Sequence, residues 1–206
     1  MRAILSVLLL AALPAHADDC RDRIAGMFFG GALDPTLRPP YHLTVNTLKA
    51  DGSYVHSYDV TWLAVDQAMT ASNGMYSLMR GEKAWLANSP DGPWTFSPPA
   101  EPFDSVNRDI AQRRQMVANL SDTSCDGMYT LDGKTVERFV YRTMTRDDSN
   151  GTYFGALNTI YVDPETNLLV RLDDAEFVAH YAPQPSPDRN IMQYTYDPAL
   201  TLPQPQ

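Results

Sequence analysis

The sequence predicts an α+β protein built on a curved antiparallel β-sheet that forms an unclosed β-barrel covered by two or three helices. Short apolar runs alternate with polar residues at a period of two, and tight-turn pairs such as Asp51-Gly52 and Asn73-Gly74 separate them. Only two segments show helical spacing. A large antiparallel sheet twists, so we expect this one to wrap into a partial barrel.

The first segment is predicted to be a secretory signal peptide. One Arg precedes an apolar run over 4–13, and the segment ends in the small-x-small triplet Ala15-His16-Ala17. This run is too short to span a bilayer, which takes about 20 residues. We therefore predict cleavage after Ala17, a signal peptide over 1–17, and a single domain over 18–206 that is periplasmic or secreted.

The charge balance excludes several classes of partner. The chain has 16 basic and 25 acidic residues and a formal net charge of −9. Its basic residues are scattered, so nucleic acid and anionic membrane surfaces are poor partners for it. The sequence predicts no cofactor and no membrane-spanning segment, and it gives no indication of the oligomeric state.

The two cysteines, Cys20 and Cys125, are predicted to form a disulfide, because an exported chain with two cysteines meets an oxidising environment. The alternative is a reactive thiol, which is disfavoured since Asp126 would raise the pKa of Cys125. A lipid anchor on Cys20 is also disfavoured, because two Asp residues separate it from the predicted cleavage site.

The first half of the chain reads as a helix followed by a meander. Cys20, Ile24 and Met27/Phe28 share one face of a helix predicted over 19–30, which the pair Gly30-Gly31 ends. Alternation and turn chemistry then predict strands over 41–48, 54–63, 64–70, 75–80, 83–89 and 93–97.

The second half repeats this order. Asp104 or Ser105 is predicted to cap a helix that runs to about Leu120, with Val106, Ile110, Val117 and Leu120 along its apolar stripe and Arg113 elsewhere. Four strands follow Cys125, over 134–144, 153–163, 168–181 and 190–196. The total is nine or ten strands and two helices, and the helices are expected to pack on one face of the sheet.

No catalytic motif is present, so we predict that the protein is not an enzyme and holds no metal. A zinc site would need His42, His56 and Asp59 to meet across the first hairpin, whereas solvent-facing histidines are the simpler interpretation. A hydrolase assembled from these groups or from an acidic pair is the open alternative. The acidic pairs are expected in or beside turns: Asp147/Asp148, Asp173/Asp174 and Asp163/Glu165.

Aromatic and aliphatic residues on the predicted strands have two interpretations. Most should fill the layer beneath the helices, but an incompletely filled sheet would use them to line a cavity for an apolar ligand. The residues predicted to line this cavity are Trp62, Leu78, Trp85, Phe139, Tyr141, Tyr161 and Val170.

Three segments carry a family resemblance: "KAWLANSPDGPWTFSPP", "SCDGMYTLDGKTVERFVYR" and "NTIYVDPETNLLVRLDD". Over residues 20–203 the chain resembles the periplasmic lipoprotein-localisation-factor superfamily, with the LolA/LolB-like fold, and in particular its uncharacterised disulfide-bearing secreted relatives. The resemblance implies helices over the opening of an unclosed barrel. It also implies a hydrophobic cavity, which in characterised, non-enzymatic members receives lipoprotein acyl chains. No position matches the functional arginine of those carriers, although Arg80 and Arg171 lie on predicted strands.

Together these observations predict a non-catalytic periplasmic protein that binds a hydrophobic or lipid-like ligand in a half-barrel cavity, as a carrier would. A lipid or a lipoprotein acyl chain is the expected partner. The non-catalytic alternative is an envelope protein-interaction or regulatory module on the same scaffold, without a ligand in the cavity.

Overall fold

A computed structural model describes residues 15–98, 104–147 and 151–205 of the chain. The helices are α1, Ala15–Met27, and α2, Ser105–Ala118. The strands are β1, Tyr41–Leu48; β2, Tyr54–Ala64; β3, Gln67–Ser72; β4, Met75–Arg80; β5, Lys83–Ala87; β6, Thr95–Phe96; β7, Ser121–Leu131; β8, Lys134–Asp147; β9, Thr152–Val162; β10, Leu169–Ala179; and β11, Arg189–Tyr196.

All eleven strands belong to one antiparallel sheet, in the order β6-β5-β4-β3-β2-β1-β11-β10-β9-β8-β7. Two meanders, β1 to β6 and β7 to β11, are thus joined where β1 pairs with β11. Strands β6 and β7 form the two edges and, within the described ranges, do not pair with each other. The prediction of a curved, unclosed half-barrel with helices is confirmed.

Local turn chemistry sets the hairpins. Asn73 and Gly74 have φ values of 50° and 75°, and Asp132 and Gly133 have φ values of 49° and 79°. Two consecutive residues at positive φ form the type I′ turn, whose twist matches that of the flanking strands. Asn, Asp and Gly tolerate this region better than other residues, which is why these pairs mark the strand ends in the sequence.

Strand β7 is the element that the sequence prediction missed. Its residues are mostly exposed, and its pairing with β8 shifts register between Ser121 and Ser124 and again between Cys125 and Gly127. An exposed, bulged edge strand has no buried face and therefore no clean apolar alternation. Over the described residues the sheet accordingly has eleven strands instead of nine or ten.

Helix α1 packs on the sheet through its predicted apolar face. Cys20, Ile24, Met27 and Phe28 are all buried there, in a core shared with Phe139 and other residues of β8 to β10. The predicted disulfide is confirmed: Cys20 is bonded to Cys125, with a Cα–Cα distance of 5.7 Å. The bond fixes α1 to the edge strand β7.

The predicted signal peptide lies mostly outside the described residues, which begin at residue 15. The cleavage site and the extent of the single domain stay predictions. Within the part of the chain that is described, no helix combines the length and apolar character needed to cross a bilayer.

The predicted apolar stripe of α2 is confirmed in part, since Val117 packs against the core and Leu120 is 6% exposed, but it differs at two positions. Val106 is 44% exposed, whereas Arg113, which was placed off the stripe, is 6% exposed and is the buried residue of the helix. A buried arginine is favourable only with partners. Two of the partners of Arg113, Phe28 and Asp34, come from a segment distant in sequence, so helical periodicity could not reveal that Arg113 is buried.

Candidate functional site

Two adjoining cavities lie between helix α2 and the sheet. The inner chamber has a volume of about 470 Å³ and is bounded by the C-terminal half of α2 and by β2 and β8 to β11. The outer chamber has a volume of about 510 Å³ and lies between the N-terminal part of α2 and the adjacent ends of β8, β9 and β10. Both are lined by Thr145, Phe154, Phe177 and Tyr181, so they meet at these four residues.

The walls of the inner chamber are mainly apolar. Two flexible methionines contribute, one from α2 and one from β11, together with aliphatic and aromatic side chains of β9 and β10: Met116, Met192, Phe154, Ala156, Leu172 and Phe177. Methionine adapts its unbranched side chain to irregular apolar shapes. The chamber therefore suits an apolar group whose shape is not rigidly defined.

The main polar feature of the inner chamber is Asp174 on β10. Its Oδ1 accepts a hydrogen bond from the backbone N of Asn190 at 3.2 Å, and Asn190 Oδ1 accepts one from Thr47 Oγ1 at 2.9 Å. Thr47 Oγ1 in turn lies 2.8 Å from Ser57 Oγ, so a polar row crosses four strands and ends at the chamber wall.

Burial of Asp174 raises its pKa above the usual value for an aspartate, and the bond from Asn190 offsets this only in part. The pKa of Tyr58, which also lines the chamber, is raised first by burial and then by the negative charge of Asp174. Within the described lining of the inner chamber, Asp174 is the one acidic side chain, and that lining has no Arg, Lys or His.

The described lining of the outer chamber includes three basic residues. Arg108 of α2, Arg146 of β8 and His180 after β10 all line it, with Gln112 and Gln115 beside them. Its described lining contains no Asp or Glu.

Exposed apolar side chains lie where the two chambers meet the surface. Phe154 is 39% exposed and Tyr181 is 74% exposed, and both residues line both chambers. Single exposed apolar residues are common on protein surfaces, but a group of them around a cavity mouth is typical of a binding site.

Arg113 holds the helix that covers these chambers. Its guanidinium donates to Phe28 O at 2.7 Å and contacts Asp34 at 3.0 Å and Asp109 at 2.8 Å. Burial raises the pKa of Asp34, but hydrogen bonds from Thr36 and the positive charge of Arg113 outweigh this effect, so the pKa lies below its usual value. Helix α2 is thereby fixed to the loop that follows α1.

A second set of contacts fixes α2 to β8. Thr143 Oγ1 donates to Met116 O at 2.7 Å, and the backbone N of Arg146 donates to Gln115 Oε1 at 2.7 Å. The geometry of both chambers therefore depends on where α2 is held.

Strand register places the predicted cavity residues on both faces of the sheet. Trp62, Phe139 and Tyr141 share the helix-covered face with the inner chamber, because Tyr141 pairs with Asn158, which lines it. Leu78, Trp85 and Tyr161 point to the other face, and Val170 lies at a register shift of β10.

Five of these seven residues contact the side chains of other residues. Phe139 packs under Arg23, with 4.7 Å from the guanidinium to the ring centroid, and Tyr141 meets the ring of Phe28 at 5.8 Å. Trp62 stacks on Tyr41, Trp85 meets Phe96, and Tyr161 lies between Tyr129 and Arg171. None of the seven lines either of the two chambers. That they contact a ligand stays a prediction.

The histidines considered for a metal or catalytic site do not converge. His42 Nδ1 lies 3.1 Å from Thr61 Oγ1, whereas His56 Nε2 lies 3.1 Å from a carboxylate oxygen of Asp59 on an exposed part of the first hairpin. Across the described ranges, no group of three or more His, Cys, Asp or Glu side chains is arranged to hold a metal ion.

The acidic pairs have different roles. Asp163 accepts from the backbone N of Glu165 in a turn, as expected. The expectation of a turn is wrong for Asp173 and Asp174, which are both buried within β10, and Asp173 forms a two-point ion pair with Arg171. The pair Asp147/Asp148 lies outside the described side chains.

The polar residues of the inner chamber were missed by sequence reasoning. The signal was available in part, since "RLDDAEF" puts two acids inside a predicted strand, where carboxylates are unusual. Of the two arginines noted earlier, Arg171 is used in the pair with Asp173. Arg80 donates to Leu202 O at 2.9 Å and to Pro203 O at 3.0 Å, which fixes the C-terminal segment.

No protein-family model matches the chain, and no curated protein matches it by sequence. Among solved structures, the chain is similar to the lipoprotein LppX from Mycobacterium tuberculosis, with 10% identity, a TM-score of 0.49, and coverage of 88% of this chain and 99% of the other. It is also similar to LprF from Mycobacterium bovis, with 12% identity, a TM-score of 0.49, and coverage of 89% and 97%.

A third similar structure is a DUF1329 family protein from Desulfovibrio piger, with 11% identity, a TM-score of 0.30, and coverage of 89% and 92%. Likeness at these values carries no argument about family, ligand or activity. The resemblance to the lipoprotein-localisation-factor superfamily stays a prediction.

Proposed function

We propose that the protein is a non-catalytic binding protein of the cell envelope that takes an amphipathic, lipid-like ligand, with the apolar part of the ligand in the inner chamber. One observation carries this proposal: a mainly apolar cavity beneath α2 opens to the surface through a group of exposed apolar side chains. A folded protein leaves such a surface uncovered at a cost unless another apolar group covers it.

The size of the site supports a small ligand. Each chamber lies within the range of about 300 to 1,000 Å³ that is typical of small-molecule sites. The two chambers share Thr145, Phe154, Phe177 and Tyr181 in their linings, so they are adjacent. A mobile amphipath is a better match than a rigid polar substrate, because methionines form much of the wall.

The disulfide supports an envelope location. Disulfides form and persist in oxidising compartments such as the periplasm or the exterior of the cell. The Cys20–Cys125 bond agrees in this respect with the predicted signal peptide.

The arrangement of ionisable groups supports binding without catalysis. Asp173 is neutralised by Arg171, and the exposed His56–Asp59 pair lies on the first hairpin, outside both chambers. Asp174 has no Arg, Lys or His beside it in the described lining of the inner chamber.

The test is to fill the inner chamber and to measure binding of a neutral apolar fluorophore, N-phenyl-1-naphthylamine. Met192 lines the chamber and is not part of the buried core cluster, so Met192→Trp places a large ring in the space with little disturbance elsewhere. We expect the wild-type protein to bind the probe and the variant to bind it more weakly by about tenfold or more.

The matched control is Met128→Trp, which makes the same change at a side chain that is 65% exposed on edge strand β7. Its affinity for the probe should equal that of the wild type. Equal affinities for the wild type and Met192→Trp would contradict the proposal, and so would an absence of probe binding to the wild type. Native mass spectrometry of the protein purified from its own envelope should further show a bound lipid-like molecule; a protein partner with no such ligand would favour the interaction module instead.

A further inference from the structure

A row of polar side chains crosses the sheet beneath the inner chamber. Asn158 of β9, Asp174 of β10 and Asn190 of β11 are consecutive partners in the strand register, and Thr47 of β1 continues the row. Residues paired directly across strands point to the same face, with Cβ atoms about 4.5 to 5.5 Å apart. Asn158, Asp174 and Asn190 all line the chamber. The mainly apolar chamber therefore has a polar strip on its sheet side.

Asp174 lies at the centre of this strip and is 8% exposed. Its hydrogen bonds within the described residues come from Asn190. An ionised carboxylate can accept about four hydrogen bonds, so Asp174 keeps acceptor capacity beside the cavity. The two amides are partly committed, since Asn158 Nδ2 donates to Ala156 O at 3.1 Å and Asn190 Oδ1 accepts from Thr47. Asp174 is thus the strongest remaining acceptor of the strip.

The charge of Asp174 is not balanced inside the chamber. The described lining has no Arg, Lys or His. Burial raises the pKa of Asp174, the hydrogen bonds from Asn190 lower it in part, and the negative charge of Asp173 raises it again. A ligand group that only accepts hydrogen bonds finds no match at this carboxylate, and an anion would also be repelled. A group that donates a hydrogen bond to Asp174 would supply what the chamber lacks.

Tyr58 of β2 adds a second polar group near Asp174. It lines the same chamber and is half-buried, and the negative charge of Asp174 raises its pKa, so the phenol lies within electrostatic range of the carboxyl. A phenol both donates and accepts hydrogen bonds. A ligand hydroxyl in this part of the chamber would therefore have an acceptor in Asp174 and a donor in Tyr58.

We infer that the ligand of the inner chamber carries a hydrogen-bond donor, a hydroxyl or an ammonium group on an apolar body, and that Asp174 binds this donor. The apolar body then packs on the walls formed by Met116, Leu172 and Met192. This inference rests on the proposed function and adds the polar chemistry of the ligand and the residue that selects it.

The experiment compares compounds that share a dodecyl chain as competitors for N-phenyl-1-naphthylamine, below their solubility and micelle limits. Dodecanol and dodecylamine carry a donor, methyl dodecyl ether carries only an acceptor, and dodecyl phosphate is an anion. We expect the better of the two donors to compete about tenfold more strongly than the ether, as one hydrogen bond to a charged group would give. The phosphate should compete most weakly. The ranking of dodecanol and dodecylamine distinguishes a hydroxyl from an ammonium group.

One variant tests whether Asp174 is responsible. Asp174→Asn keeps the shape of the side chain and removes its charge, so the preference for the amine over the ether should be lost and that for the alcohol should fall severalfold. Each preference is a ratio measured within one variant, so a general change in the chamber cancels. The matched control is Asp132→Asn, which removes the same charge at an exposed turn position where Asn is equally suited to positive φ. It should keep both preferences of the wild type.

The inference and the proposed function fail differently. If the ether competes as strongly as both donors, if the phosphate competes best, or if Asp174→Asn keeps the full preference, the inference is overturned while binding in the inner chamber stands. If no compound competes and the probe does not bind, both are overturned. A preference for either donor that is present in the wild type and in Asp132→Asn, but reduced in Asp174→Asn, supports both.

Discussion

Replacement of Arg113 by Met tests the contact that holds α2 over the cavity. Arg113 is 6% exposed and joins three groups, the carbonyl of Phe28 and the carboxylates of Asp34 and Asp109. Methionine has a similar length and a good helix propensity, so the change removes the charge and the donors with little effect on the helix itself. The expected result is a large loss of stability without loss of the fold.

The magnitude follows from the environment of each partner. Asp109 is partly exposed and can regain water, so its pair contributes only about 0.2 to 1 kcal/mol. The carbonyl of Phe28 is left without this donor in a buried position, which costs about 1 to 3 kcal/mol. Asp34 stays buried with its charge but keeps the hydrogen bonds from Thr36 and Gly30. The total loss of stability in Arg113→Met should therefore fall near the lower end of the range of about 3 to 5 kcal/mol for a broken buried ion pair.

The assay is urea unfolding, with thermal melting as a second measurement. A loss of about 3 kcal/mol corresponds to a fall in Tm of roughly 6 to 12 °C for a chain of this size. Hydrogen exchange should become faster over Ser105–Ala118, because α2 loses its tie to the loop after α1. The neighbouring exposed arginine supplies the control: Arg114→Met should change stability by no more than about 0.5 kcal/mol.

A double-mutant cycle then isolates the pair. Asp34→Asn removes the buried charge, so Arg113→Met combined with Asp34→Asn should be less destabilised than the sum of the single variants, with a coupling of about 1 to 2 kcal/mol. A loss below about 1 kcal/mol for Arg113→Met, or a coupling near zero, would refute the reasoning that Arg113 neutralises a buried charge.

Two further predictions concern the disulfide and Asp174. Replacing both Cys20 and Cys125 by Ala opens a loop of 105 residues and should cost about 4 to 5 kcal/mol in urea unfolding, with a fall in Tm of roughly 8 to 20 °C; an unchanged midpoint would contradict it. Asp174→Asn should raise Tm at pH 7. Burial raises the pKa of Asp174, so the folded state binds more protons than the unfolded state and loses stability as pH rises. An asparagine carries no charge at any pH and avoids this loss. The gain should disappear below about pH 3.9, where the carboxyl is protonated in both states, and a gain of equal size at pH 3 and pH 7 would show that charge is not its cause.

Local chemistry explains why much of the fold could be predicted. Asn73-Gly74 and Asp132-Gly133 adopt positive φ, a conformation that few other residue pairs tolerate. The turns are therefore encoded by adjacent residues. The buried face of α1 follows from the spacing of Cys20, Ile24 and Phe28. The disulfide follows from a count of cysteines and the predicted compartment.

The sequence predicted the type of candidate site but not the residues that form it. An apolar cavity under the helices was expected, but the residues proposed for it were those with the largest apolar side chains, such as Phe139 and Tyr141, and these pack beneath α1. Large apolar residues fill a core wherever they can, and space remains where smaller or flexible residues such as Ala156 and Met192 meet. Apolar patterning identifies buried faces and does not locate gaps between them.

The sequence by itself determined the class of fold, the positions of its tight turns and the pairing of its cysteines, because each depends on adjacent residues or on composition. Tertiary structure alone decided that Arg113 is buried, that β7 forms an edge, and that Asp174 faces a cavity. Arg113 meets Phe28 across 85 residues of sequence. Such contacts depend on strand order and register, and a polar residue in a strand or helix carries no local mark of the distant partner that will compensate its burial.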